Sequence, residues 1–237
     1  MEIQEIIMEA LHFPFNNITS LAVYLVLGII VALIAILTGV TGMFGISQTS
    51  GTITIISLIG IILCLIIYFI INGYELDIIK SGINRSSDAP SIDITRQTLN
   101  GVKLFVVQII YFIIPVLITL ISALVFTKWV TALIACVIFI IFGFIETMGE
   151  CRLAQTEDLN HALKINEAFG DIQRIGVTKV VVTIIAVAVI YVVITNVFNG
   201  IFGFINQDLG TIVSVIVAIY LVFFENRATG LLYSDIN

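Results

Sequence analysis

Six stretches of the chain are apolar over the length needed to cross a lipid bilayer: residues 19–40, 52–71, 104–126, 130–145, 180–198 and 209–224. The hydrocarbon layer is about 30 Å thick and a helix rises 1.5 Å per residue, so a span takes roughly 20 mainly apolar residues. In lipid every backbone N–H and C=O needs an internal partner, which leaves helices or closed barrels. Barrel strands are about ten residues long and alternate in polarity. These runs are longer and do not alternate, so they predict an all-α membrane protein with six transmembrane helices. The stretch 130–145 is short, and Lys128 and Trp129 at one end with Glu146 at the other are expected to anchor it at the interfaces.

Orientation follows from the basic residues. Nine of the ten Lys and Arg fall after the second, fourth and sixth stretches, and only Lys128 lies between the third and fourth. Positively charged loops stay in the cytoplasm. The layout therefore predicts a multi-pass protein of the cell membrane with both termini cytoplasmic. The first twenty residues carry Glu2, Glu5 and Glu9 without a basic segment, so the first stretch is expected to be a retained span rather than a cleaved signal. A net charge of −6 and the lack of a basic stripe argue against nucleic acid as a partner, leaving the lipid bilayer. Cys64 and Cys136 fall in spans and Cys151 on the inner side, which gives no disulfide framework. The sequons at Asn17 and Asn84 lie on the inner side as well and are expected to be chance matches.

The chain also repeats itself. Ile71-Asn72-Gly73-Tyr74-Glu75-Leu76, Met148-Gly149-Glu150-Cys151-Arg152-Leu153 and Phe224-Glu225-Asn226-Arg227-Ala228 follow alternate spans at intervals of about 76 residues. Gly101-Val102-Lys103 and Gly176-Val177-Thr178-Lys179 lead into the third and fifth spans. The expected organisation is a single polytopic domain, 1–237, of three hairpin repeats covering approximately 1–85, 86–160 and 161–237. The polar inner segments have helical apolar spacing: Ile3, Ile6 and Ala10; Leu76, Ile79 and Ile83; Ala162, Ile165, Phe169 and Ile172. They predict cytoplasmic amphipathic helices docked on the protein's own inner surface. Their polar faces are mixed or acidic, unlike the Lys/Arg-rich face of a helix that binds anionic lipid.

Two stretches carry a family resemblance. One is Gly73-Tyr74-Glu75-Leu76-Asp77-Ile78-Ile79. The other runs from Asp88-Ala89-Pro90 through Asn100-Gly101-Val102-Lys103 to Tyr111-Phe112-Ile113-Ile114-Pro115. Together they resemble the archaeal membrane family called domain of unknown function 4013, common in methanogens, over residues 20–235. Members of that family often have an acidic–aromatic pair before the Asn-Gly-x-Lys stretch, where this chain has Ile92-Asp93-Ile94. The resemblance implies a membrane location and this architecture, and no reaction.

Chemistry is sparse. Nucleophile-elbow, P-loop and dinucleotide fingerprints are absent from the sequence, so no catalytic residues are assigned and the chain is not expected to be an enzyme. Cys151, Glu157 and His161 are the nearest approach to a metal set, and a Glu/His pair four apart on a helix is expected to be a solvated surface pair. No metal or other cofactor is expected. The centres of the spans hold no Asp, Glu, Lys or Arg, which argues against coupling through intramembrane carboxylates. Gln108 and Asn196 are amides inside spans and Pro115 interrupts the third, so these are the candidate solute or packing contacts. Glycines gather near the outer side at Gly39, Gly42, Gly45 and Gly51 and again at Gly200, Gly203 and Gly210, and are expected in outer loops. Glu75, Asp77, Lys80, Glu146, Glu150 and Arg152 form the candidate cytoplasmic ion-pair or docking cluster. Expected roles are a non-enzymatic scaffold or accessory subunit, with a membrane-protein partner or as a homo-oligomer, or alternatively a carrier or channel for a small neutral or lipid-like solute.

Overall fold

The computed structural model describes residues 1–38 and 51–236. Gly39, Gly42, Phe44 and Gly45 lie outside the described residues. Within them the regular structure is helical: α1 Ile3–Asn16, α2 Ile18–Leu37, α3 Gly51–Ile83, α4 Ile94–Val125 and α5 Lys128–Thr156. These are followed by α6 Leu159–Ala162, α7 Ile165–Ile175, α8 Val177–Ile205, α9 Gln207–Tyr233 and a 3-10 turn Ser234–Ile236. Six of these helices, α2, α3, α4, α5, α8 and α9, are long and apolar enough to cross a membrane.

Their lengths explain one departure from expectation. α3 has 33 residues and α4 has 32, about 50 Å of helix at 1.5 Å per residue, well beyond the hydrocarbon thickness. The polar segment 72–83 is thus not a separate amphipathic helix. It is the last three turns of α3, and 224–233 extends α9 in the same way. Continuing the helix keeps every backbone group bonded where the chain leaves the apolar layer. Among the described residues, separate short helices form only at α1, α6 and α7. Gly176, at φ +106°, breaks α7 from α8, in a conformation that favours glycine. Gly101, its partner in the sequence repeat, sits unbroken inside α4.

Helix starts are set by side chains. Asp93 accepts from the Arg96 N–H at 3.1 Å, and Asn206 accepts from the Asp208 and Leu209 N–H groups at 2.8 and 3.2 Å. Asn17 holds the α1–α2 corner by donating to the Phe13 and Ser87 carbonyls and accepting from the Ala89 N–H.

Three helices, α3, α5 and α9, touch one another, and α2, α4 and α8 each lie against two of those three. Glycines let backbones approach. A methyl on Gly73 would fall on the Gln97 carbonyl and one on Gly101 on the Phe69 carbonyl, so α3 and α4 cross nearly backbone to backbone. Gly82 and Gly230 make the same kind of crossing between α3 and α9.

Burial is uneven along the axis. The core clusters at the charged end: Ile6, Leu76, Ile79, Leu104, Tyr111, Met148, Leu153, Leu221, Phe224 and Leu231 are nearly or fully buried. Toward the other end most side chains of the spans are uncovered, and between 6% and 28% of each apolar window is buried by protein. In water such surfaces would be a liability. In lipid they need no protein cover.

Candidate functional site

The charged side chains gather where the core is densest, and they do so in pairs. Asp77 is 4% exposed and accepts from both Arg96 terminal nitrogens at 2.9 and 2.8 Å and from Gln97 Nε2 at 2.9 Å. Lys80 Nζ meets Glu157 at 2.7 Å, and Arg96 reaches the same carboxylate at 3.2 Å. Arg152, 3% exposed, donates to Asp171 at 2.8 Å, to the His161 carbonyl at 3.1 Å, and to Glu167. Arg227, 1% exposed, pairs with Glu9 on α1 at 2.6 Å and lies over the Phe13 ring at 4.6 Å. Asp235 draws together Met1, Arg85 and Lys179, so both ends of the described chain meet on this face.

A second set of charges has no such partners. Glu75 accepts from the Tyr24 hydroxyl, and Glu150 accepts from Gln108 Nε2 at 3.0 Å. Glu146 lies beside Glu150, and the carboxylates of Glu75, Glu150 and Glu225 are within electrostatic reach of one another. Among the described residues no Lys or Arg forms an ion pair with any of these four glutamates.

The six-residue cluster expected from sequence is therefore two clusters. Asp77, Lys80 and Arg152 are consumed in ion pairs, whereas Glu75, Glu146 and Glu150 face other carboxylates, amides and hydroxyls. The reason is helical phase. Residues two apart, such as Glu75 and Asp77 or Glu150 and Arg152, point to nearly opposite sides of a helix and cannot share a partner. The spacing carried a signal that was available. Glu75, Glu150 and Glu225 recur every 75 residues, as do Asp77, Arg152 and Arg227, so the 75-residue register predicts the two sets. Glu225 and Arg227 stand in the sequence only as members of the third repeat block, Glu9 only as an N-terminal acidic residue, and Arg96 and Asp171 carry no sequence signal as site residues.

The remaining candidates separate. Gln108 joins the glutamate cluster. Pro115 is buried within α4, and the helix runs through it. Asn196 is exposed and donates to the Val192 carbonyl of its own helix at 2.7 Å, so it does not meet Gln108. Cys151 is buried and directed at the Thr229 carbonyl, Glu157 serves Lys80, and His161 meets Arg152 at 2.9 Å. Among the described residues no group of three His, Cys, Asp or Glu side chains could hold a metal ion.

Residues 56–203, more than half of the chain, match the family described as Protein of unknown function (DUF4013). The chain belongs to the DUF4013 family. No curated protein and no solved structure matches it. The DUF4013 region runs from α3 into α8 and so contains the Asp77–Arg96 and Arg152–Asp171 pairs, Glu75 and Glu150. α1, Glu225 and Arg227 lie outside the matched residues.

The Lys80–Glu157 contact gives a pH prediction for this DUF4013 protein. The Lys80 ammonium that donates to Glu157, with Arg96 beside it, holds that carboxyl below its ordinary value of 4.5. A depressed carboxyl contributes stability that is complete above the ordinary value and is lost as pH falls through the folded one. Glu157→Gln is expected to lower the thermal midpoint in detergent at neutral pH, with the gap to wild type closing below pH 4.5. Parallel melting curves across that range would show that the clamp contributes nothing.

Proposed function

We propose that this chain is a non-enzymatic structural subunit of an archaeal cell membrane, with both termini in the cytoplasm and three hairpin repeats joined into a closed inner layer. Support for the repeat comes from the ion pairs. Asp77 on α3 pairs with Arg96 at the start of α4, and Arg152 on α5 pairs with Asp171 on α7, each partner 19 residues further along. The sign of the pair is reversed between the two. Arg227 on α9 is the third member, and it pairs with Glu9 on α1. In each case the inner end of a hairpin's second helix is held by the helix leading into the next span. α1 and α7 stand in this reading as the amphipathic elements that close the inner face.

One observation carries the scaffold reading. Asp77, Lys80, Arg96, Arg152 and Arg227 at the charged end are taken up in internal ion pairs, while the spans leave long apolar helical surfaces uncovered by protein. Such a molecule is locked at one end and offers side surface to lipid or to other membrane proteins. Extraction in mild detergent followed by native mass spectrometry is expected to yield a homo-oligomer or a complex with a membrane-protein partner. Recovery of monomer alone would count against it.

A second reading, a carrier for a lipid-like solute, is favoured by an apolar crevice of 440 Å³ between α1, α2, α8 and α9, lined by Leu11, Phe15, Phe198 and Tyr220 among others. Uptake into proteoliposomes that is lost in Leu11→Trp or Phe198→Ala, which alter the crevice wall, would favour it over the scaffold.

Orientation has its own test. In a cysteine-free background, Lys128→Cys is expected to react with an impermeant maleimide added to intact cells, and Arg85→Cys and Lys164→Cys are expected not to react. Labelling at 85 or 164 from outside would reverse the topology.

A further inference from the structure

The four glutamates without ion-pair partners are unusual for a chain whose other buried charges are so fully paired. An acidic cluster alone does not make a site, but a second observation points into this one. Thr183, on α8, is 1% exposed, and its hydroxyl has no hydrogen-bond partner. A buried hydroxyl without a partner loses the hydrogen bonds it made in water, so some occupant normally satisfies it. Thr183 lines a cavity of 70 Å³ between α5, α8 and α9, together with Thr147, Thr229 and Glu225, with Val187 and Leu232 as apolar walls. The Thr147 hydroxyl donates to the Gly143 carbonyl at 2.9 Å, which leaves its oxygen free to accept or to ligate.

From this geometry we infer a binding site for a small monovalent metal cation, with sodium as the best fit, held by Glu225, Thr183 and Thr147. The donors are hard oxygens, which suit hard cations. One carboxylate at the cavity balances one positive charge. Glu75, Glu146 and Glu150 lie outside the cavity wall. A divalent ion would call for several carboxylates at bonding distance, and no group of three His, Cys, Asp or Glu side chains placed to hold a metal exists among the described residues. The volume has room for a cation with a few waters and excludes a bulky organic ammonium. Ionisable groups at the edge of a membrane span tend to persist where they work, and this one sits on the third of three glutamates spaced 75 residues apart.

The inference does not depend on the scaffold reading, because a structural subunit and a carrier could each hold such an ion. Its test is the thermal midpoint of the purified protein in detergent across a sodium chloride series, with choline chloride holding the ionic strength constant. The midpoint is expected to rise with sodium and to saturate. Glu225→Gln and Thr183→Val, both close in shape to the native side chains, are expected to weaken half-saturation about tenfold or more, the loss of one good contact. A wild-type midpoint indifferent to sodium overturns the inference, whether or not the variants fold. So does an equal response to choline, which would report ionic strength alone. A response to calcium in place of sodium overturns the monovalent assignment, and saturation unchanged in both variants overturns the site.

Discussion

Arg152→Met is expected to destabilise the protein by about 3 kcal/mol, at the low end of the 3–5 kcal/mol typical for breaking a buried ion pair. The substitution keeps most of the side chain's length and apolar stem but leaves Asp171, itself 1% exposed, without its principal counter-charge. The loss stays at the low end because Arg174 still reaches Asp171 at 3.2 Å and the Tyr233 hydroxyl donates to it at 3.1 Å. The cost comes mainly from the stranded carboxylate, so removing it too changes the outcome. Arg152→Met combined with Asp171→Leu is expected to recover much of the loss, since an apolar pair of similar volume often replaces a buried ion pair at little cost. Thermal unfolding in detergent of wild type, both single variants and the double variant closes the cycle. A single variant as stable as wild type would mean that Arg152 is not buried against Asp171.

Alanine at glycine is expected to act with opposite signs along this chain. At Gly101 the added methyl meets the Phe69 carbonyl, and at Gly73 it meets the Gln97 carbonyl; both obstacles are backbone, which cannot rotate away. The α3–α4 crossing must open, at a cost of about 1–3 kcal/mol or more for overpacking. At Gly28, Gly143 and Gly200 nothing lies within 4 Å of the added atom. There alanine is expected to stabilise the helix by about 0.5–1 kcal/mol, because glycine is the poorer helix former. The comparison uses one substitution in one protein, so detergent effects cancel. Equal effects at Gly101 and Gly143 would show that α3 and α4 do not approach so closely.

Legibility from the sequence varied from residue to residue. The presence of six apolar helices and the gathering of Lys and Arg at one end stood out from hydropathy and charge placement. The separate amphipathic helix over 72–83 did not form, because hydropathy marks where the apolar layer ends and not where a helix ends. Asn196 looked equivalent to Gln108 in composition, yet it is exposed and bonds back to its own helix at the Val192 carbonyl. Arg227 is visible in the sequence only as part of the third repeat block, which does not reveal what it pairs with. Its partner Glu9 is 218 residues away, on the helix nearest the other end of the chain.

Sequence alone determined that this chain forms long helices suited to lipid, since apolar length and the need to satisfy each backbone group internally leave no other solution for it. Only the tertiary structure decided which charges neutralise one another and which glutamates stay unpaired. That outcome depends on the rotational phase and crossing points of helices far apart in the chain, and a difference of two residues on one helix sends a side chain to the opposite side.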